Sequence, residues 1–218
     1  MNLPAVSPVD PVPFDSPKRV AIVGAARLLF LNSGFGAVSM DRIAAEAQVS
    51  KRTVYSHFEN KETLFAAVMG SVCQDIVGDT PCPLMDEGLV ATLSPNDMFQ
   101  RAGVHLLAII SSDKIIDLYR LVSAESGRFP ELGKTFYDNG PGMVLLSMQD
   151  YMAVKVKDGV FVIDDIESAA GQFFGMIMHP VQMELSIGVR KNITAKEIDA
   201  IVSQAVDAFM RLYEKQSV

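Results

Sequence analysis

A chain of 218 residues and 23.7 kDa, 49% apolar and 21% charged, can bury a sizeable core and is too apolar for a disordered or collagenous protein. Its two cysteines, Cys73 and Cys82, are too few for a disulfide scaffold or a cysteine zinc site, and no apolar run approaches the ~18 residues that span a bilayer. The net charge of −7 argues against a polyanionic partner only as an average, because the charge is segregated along the chain.

Residues 1–16 are proline-rich and lack any basic side chain, the opposite of a signal peptide, so a disordered arm on a cytoplasmic protein is expected. Ser16-Pro17 then reads as a helix start, and Ile22, Ala25, Ala26, Leu29 and Phe30 form one apolar stripe that Gly34 and Gly36 bring to an end. Ser39 can cap a short second helix with Ile43, Ala44 and Ala47 inward, and Ser50 a third in which Val54 and Phe58 lie one turn apart. Only Gln48 and Val49 stand between them. Asn60-Lys61 begins a long fourth helix through Leu64, Phe65, Val68 and Val72 that stops before Gly78. Gly78–Pro95 reads as a connection with room for a short helix inside. Further helices are expected from Pro95 to about Ser111, Asp113 to about Gly127, Pro130 to about Asn139, and Met143 to Lys157. Val160–Ile163 is too short to support a sheet. Asp164 with Glu167, and Thr194 with Glu197, are capping-box signatures opening helices over 164–187 and 195–214. The expected fold class is all-α, with nine or ten helices, divided into the arm 1–16, a three-helix domain 17–61 and a larger helical domain 62–218.

Residues 17–61 hold Lys18, Arg19, Arg27, Arg42, Lys51, Arg52 and Lys61 against Asp41, Glu46 and Glu59, a net of +4, whereas 62–218 hold twelve basic and twenty-one acidic residues, a net of −9. The basic part can sit on a polyanion while the acidic part is held away from it. Two short helices joined by a tight turn, with small Ala44 and Ala47 at the crossing, form a helix-turn-helix. At about 100° per residue, with Val54 and Phe58 facing the core, Arg52, Thr53 and Ser56 point outward to a major groove. Tyr55 and His57 flank that face, Lys51 sits near the helix start, and Ser39 and Lys61 begin neighbouring helices whose amides attract phosphate.

Ile22-x-x-Ala25-Ala26-x-x-Leu29-Phe30-x-x-x-Gly34, then Ile43-Ala44-x-x-Ala47-x-Val49-Ser50-x-x-Thr53-x-Tyr55-x-His57-Phe58-x-x-Lys61-x-x-Leu64, resembles the N-terminal domain of the TetR/AcrR transcriptional repressors. In that family the residues matching Thr53, Tyr55, His57 and Lys61 commonly touch DNA, usually its backbone. The family usually has glycine where this chain has Gln48; a positive φ there would cost Gln roughly 1 kcal/mol. Leu118-Tyr119-Arg120-Leu121 through Ala124-Glu125, with Arg128-Phe129-Pro130-Glu131-Leu132 and Phe136-Tyr137, is similar to the C-terminal domain of an AefR-like branch of the family. The resemblance implies a homodimer formed through the last two helices and a pocket for a small molecule. The stripe Ile198, Ile201, Val202, Ala205, Phe209 and Leu212, and the nearly all-round apolar Phe173–Met178, independently call for burial on more than one side.

Phe99, Tyr119, Phe136, Met143 and Phe174 are candidate pocket linings for a small apolar or amphipathic effector. His105 and His179 are open to hydrogen-bonding a ligand or, more commonly for lone histidines, to a structural role. Cys73 reads as an inert buried thiol, with a redox sensor as the other reading of the two cysteines. No phosphate loop, HExxH, GxSxG or Cys/His ligand set is present in the sequence, so neither catalysis nor a metal or other cofactor is expected. The expected function is a ligand-responsive repressor acting as a homodimer on a palindromic duplex operator. The competing one is an all-α small-molecule binding protein or enzyme with an N-terminal module that does not bind DNA.

Overall fold

The computed structural model describes residues 16–77, 82–179 and 181–215. The expected arm therefore lies outside the described residues apart from Ser16, as do 78–81 of the expected connection and the side chain of Cys73. Among the described residues there are twelve α-helices, one 3-10 turn and, in place of any strand, an isolated bridge between Phe161 and Glu214. The fold is all-α. It divides into two compact units between Val68 and Met69, inside the fourth helix, where the sequence had suggested a boundary after Lys61.

The first unit contains α1 (Pro17–Ser33), α2 (Met40–Glu46), α3 (Lys51–His57) and the start of α4 (Lys61–Val77). The hydroxyls of Ser16, Ser39 and Ser50 accept the amides of Arg19, Arg42 and Thr53 at 3.3, 3.2 and 3.1 Å, satisfying donors that each helix start leaves unpaired. Gly34 ends α1 with φ +78, a conformation glycine adopts without a Cβ clash. Ile22, Ala26, Phe30, Ile43, Val54, Leu64 and Phe65 are completely buried. Phe30, Phe35 and Phe65 pack as a ring triad with centroids 5.1 to 5.9 Å apart, and burying each such side chain stabilises the unit by about 2–3 kcal/mol.

The second unit continues through a 3-10 turn (Pro83–Met85), α5 (Glu87–Thr92), α6 (Pro95–Ile110), α7 (Asp113–Glu125), α8 (Pro130–Asp138), α9 (Pro141–Lys157), α10 (Ile166–Met178), α11 (Val181–Ser186) and α12 (Ala195–Tyr213). Phe99 on α6 is the hub of its core, with the rings of Phe173 and Phe209 centred 4.6 and 4.8 Å away. The close approach of α6 to α12 requires Gly103, because a Cβ there would lie 2.6 Å from Val202 Cγ1 and 3.1 Å from Ile177 Cδ1.

Three boundaries differ from the sequence reading. Helix α9 starts at Pro141, not Met143, since proline suits a first helical position. The cap of α10 is Asp165, whose carboxylate accepts from Ser168 N–H at 2.9 Å, rather than Asp164 acting with Glu167. The single helix expected over 164–187 is two, because His179 precedes a proline and is held in extended geometry at φ −92, ψ 134. Arg120 then holds the far end of α11, donating from Nε to Ser186 O and from Nη2 to Leu185 O, both at 2.7 Å. The Thr194–Glu197 capping box of α12 forms as expected, and the Thr194 amide and hydroxyl hold the Glu197 carboxyl below its usual range.

Candidate nucleic-acid interface and internal cavity

The turn between α2 and α3 is a Schellman motif. Gln48 N–H donates to Ala45 O at 3.2 Å and Val49 N–H to Ala44 O at 3.0 Å, with Gln48 at φ +55. Gln48 therefore occupies the left-handed region that glycine enters freely. The turn sets α3 across α2 over buried Ile43, Ala44 and Val54.

On α3, Val54 and Phe58 at its C-cap are buried, Lys51, Arg52, Tyr55 and Ser56 are exposed, and Thr53 and His57 are half-buried. Tyr55 is 48% exposed, a large aromatic ring without a core to fill. Thr53 and Ser56 are locally ordered: Thr53 Oγ1 lies 2.8 Å from Ser50 Oγ, and Ser56 Oγ donates to Thr53 O at 2.8 Å. Lys51 Nζ pairs with Asp41 Oδ1 at 2.8 Å, which brings the first turns of α2 and α3 together and holds the amine above its usual pKa through the Asp41 hydrogen bond and charge. Exposed Ser39 caps that same turn of α2. Ser39 and the α3 residues thus share one edge of the unit. Lys61 is placed differently: its ammonium donates to Phe35 O and Val38 O at 2.8 and 2.9 Å and lies 4.1 Å above the Phe35 ring. It staples the start of α4 to the loop before Ser39. Arg19, which sequence reasoning did not select, stacks 4.9 Å over the Phe58 ring behind α3. A short helix presenting a guanidinium and hydroxyls, with more donors at its N-terminal edge, can read base edges and anchor phosphates.

The second unit contains a partly open cavity of about 320 Å³. Of the five residues proposed to line it, Phe136, Met143 and Phe174 are on its wall. Phe99 is instead fully buried in the aromatic core, and Tyr119 packs edge-on against Phe136 at 6.1 Å rather than facing the cavity. Met69, Met148 and Met178 complete much of the apolar wall; the high methionine content was the only sequence signal for them. His105 and Cys82 also line it. Burial pulls the His105 imidazole below its ordinary pKa and pushes the Cys82 thiol up, the reverse of a reactive thiolate. Among the described residues no three His, Cys, Asp or Glu side chains group to hold a metal, and no helix is long and apolar enough to cross a membrane.

Residues 22–68 match the model of bacterial regulatory proteins of the tetR family, and residues 97–215 match that of the AefR-like transcriptional repressor C-terminal domain. The chain is 32% identical over 114 residues to the HTH-type transcriptional regulator YdeS of Bacillus subtilis, covering 50% of this chain and 58% of YdeS. It is 45% identical over 47 residues to the transposon Tn10 TetC protein of Escherichia coli, covering 22% of this chain and 24% of TetC. These matches span less than two thirds of either relative. Among solved structures, the flavonoid-responsive regulator FrrA superposes with a TM-score of 0.77 at 29% identity, over 92% of this chain and 98% of FrrA. A TetR-family regulator from Mesorhizobium loti gives 0.75 at 27% identity, over 93% and 100%.

Proposed function

Because the chain belongs to the TetR family of DNA-binding transcriptional regulators, we propose that it is a ligand-responsive repressor that grips a near-palindromic operator as a homodimer in the cytoplasm. The observation that carries this reading is the outward face of α3, where Arg52, Tyr55 and Ser56 are exposed on a helix whose other side is core. Arg52, Thr53 and Ser56 face the major groove, while Lys51, Tyr55, His57 and Ser39 hold the phosphates beside it. Lys61 acts from behind, fixing the loop that presents Ser39.

Two such helices read half-sites about 34 Å apart only when paired by a two-fold axis. The outward side of α10 supports pairing through α10 and α12. Ser168, Gly171 and Gly175 are exposed along it, and a Cβ at either glycine would meet nothing within 4 Å, so their smallness serves no neighbour within the chain. The cavity takes the effector, a small apolar or amphipathic molecule, a reading that the flavonoid-responsive regulator FrrA supports as a structural neighbour. Met69 on the wall belongs to the helix that begins at Lys61, so an occupant that moves Met69 acts on the helix anchoring the α1–α2 loop. A coupling of about 1–3 kcal/mol between ligand and operator suffices for release.

The test is a gel shift on the gene's own upstream region, with wild type binding sequence-selectively and more weakly as salt rises. Arg52→Ala is expected to weaken binding about 5- to 150-fold, equivalent to about 1–3 kcal/mol, and to relax specificity without changing the melting temperature. Wild-type binding indifferent to sequence, or an Arg52→Ala protein that binds like wild type, refutes the reading.

A further inference from the structure

The cavity wall is chemically selective. It has no Asp, Glu, Lys or Arg among its described residues, so an ion entering it would lose water without gaining a counter-charge. Four side chains on the wall carry amide, hydroxyl or imidazole groups: His105, Asn139, Ser147 and Gln182. Two of them are engaged on their own helices, Asn139 Nδ2 donating to Thr135 O at 2.8 Å and Ser147 Oγ to Met143 O at 3.0 Å. His105 on α6 and Gln182 on α11 are half-buried and have no side-chain hydrogen bond among the described residues. An amide donates and accepts, and so does a neutral imidazole, the form that burial favours for His105.

On its other side His105 borders an open groove with Asp86, Asp97, Arg101 and Asp199. Asp86 accepts from Leu89 N–H at 3.0 Å and Asp97 from Ser94 Oγ at 2.6 Å. His105 thus lines both spaces, and the charged side chains that share the groove with it are absent from the cavity wall.

We propose that the effector is an uncharged, mainly apolar molecule of one or two rings, bearing a hydroxyl or carbonyl group that His105 and Gln182 recognise by hydrogen bonding. The size follows from a volume near the lower end of ligand pockets. The neutrality follows from the uncharged wall, and the polar group from two side chains that can both donate and accept. This inference rests on the cavity being the effector site.

The experiment is calorimetric titration of the full chain at pH 7.5 with four probes sharing one ring system: naphthalene, 1-naphthol, 1-naphthoate and 1-naphthylmethylammonium. The expected result is that 1-naphthol binds tightest, with naphthalene about tenfold weaker for the missing hydrogen bond. Both ions are expected to bind at least about a hundredfold more weakly than 1-naphthol. His105→Leu and Gln182→Leu, made separately, should shrink the 1-naphthol preference while naphthalene still binds, which also reports an intact cavity. An ion binding as well as 1-naphthol overturns the proposal, as does an unchanged preference in both variants. If no probe binds while wild type still binds its operator selectively, the proposal falls and the DNA-binding reading stands. If the probe preferences appear but selective DNA binding does not, the regulator reading falls instead.

Discussion

At the scale of single residues, Gln48 is where chain chemistry and required backbone disagree. Its φ of +55 closes the Schellman turn that aims α3, and a non-glycine residue there carries about 1 kcal/mol of strain. Gln48→Gly is expected to stabilise the chain by up to about 1 kcal/mol, and Gln48→Val to destabilise it by about 1–2 kcal/mol because a β-branched side chain tolerates this region worst. Urea denaturation of the two variants checks the signs; a more stable Val variant refutes the account. The outward direction of Arg52 and Ser56 was legible because Val54 and Phe58 define the inner side of so short a helix. The engagement of Lys61 was not, since its acceptors Phe35 O and Val38 O come from 26 and 23 residues upstream. Nothing local to Lys61 distinguishes an ammonium held by carbonyls from one waiting for phosphate.

At the scale of helices, most starts were legible, whereas the starts of α9 and α10 and the end of α10 were not. Ser16, Ser39, Ser50, Ser94 and Thr194 each accept the amide three residues on, an interaction complete within one turn. The division of α10 from α11 also has a local cause, the extended geometry of a residue before proline, but the strong apolar character of 173–178 masked it. Packing between helices makes its own demand at Gly103. Gly103→Ala is expected to destabilise the second unit by about 1–3 kcal/mol, because the clash falls on Val202, whose branched side chain has few rotamers to retreat into. Gly24→Ala on the exposed side of α1, where a Cβ meets nothing within 4 Å, should instead stabilise by about 0.5–1 kcal/mol. Thermal melts of the pair separate packing from helix propensity; equal shifts would show that Gly103 is not a contact-imposed glycine.

At the scale of the whole molecule, the proposed grip of an operator by two copies of α3 requires a dimer. Gly175→Leu places a large side chain on the exposed side of α10 without touching the core, so the protomer should melt as wild type but sediment as a monomer. Losing the second half-site contact should weaken operator binding by about a hundredfold or more. A variant that remains dimeric places the interface elsewhere.

Capping and apolar periodicity act within a turn or two of helix, so the sequence by itself determined the all-α class, the first three helices near the amino end and the side of α3 that looks outward. The cavity was another matter. Phe99 and Phe136 are equally good candidates as letters, yet one stacks against Phe209 in the core and the other faces the void. Only the tertiary structure decided between them, because a wall is made by helices distant in the chain and the free energy of burial depends on which of them meet.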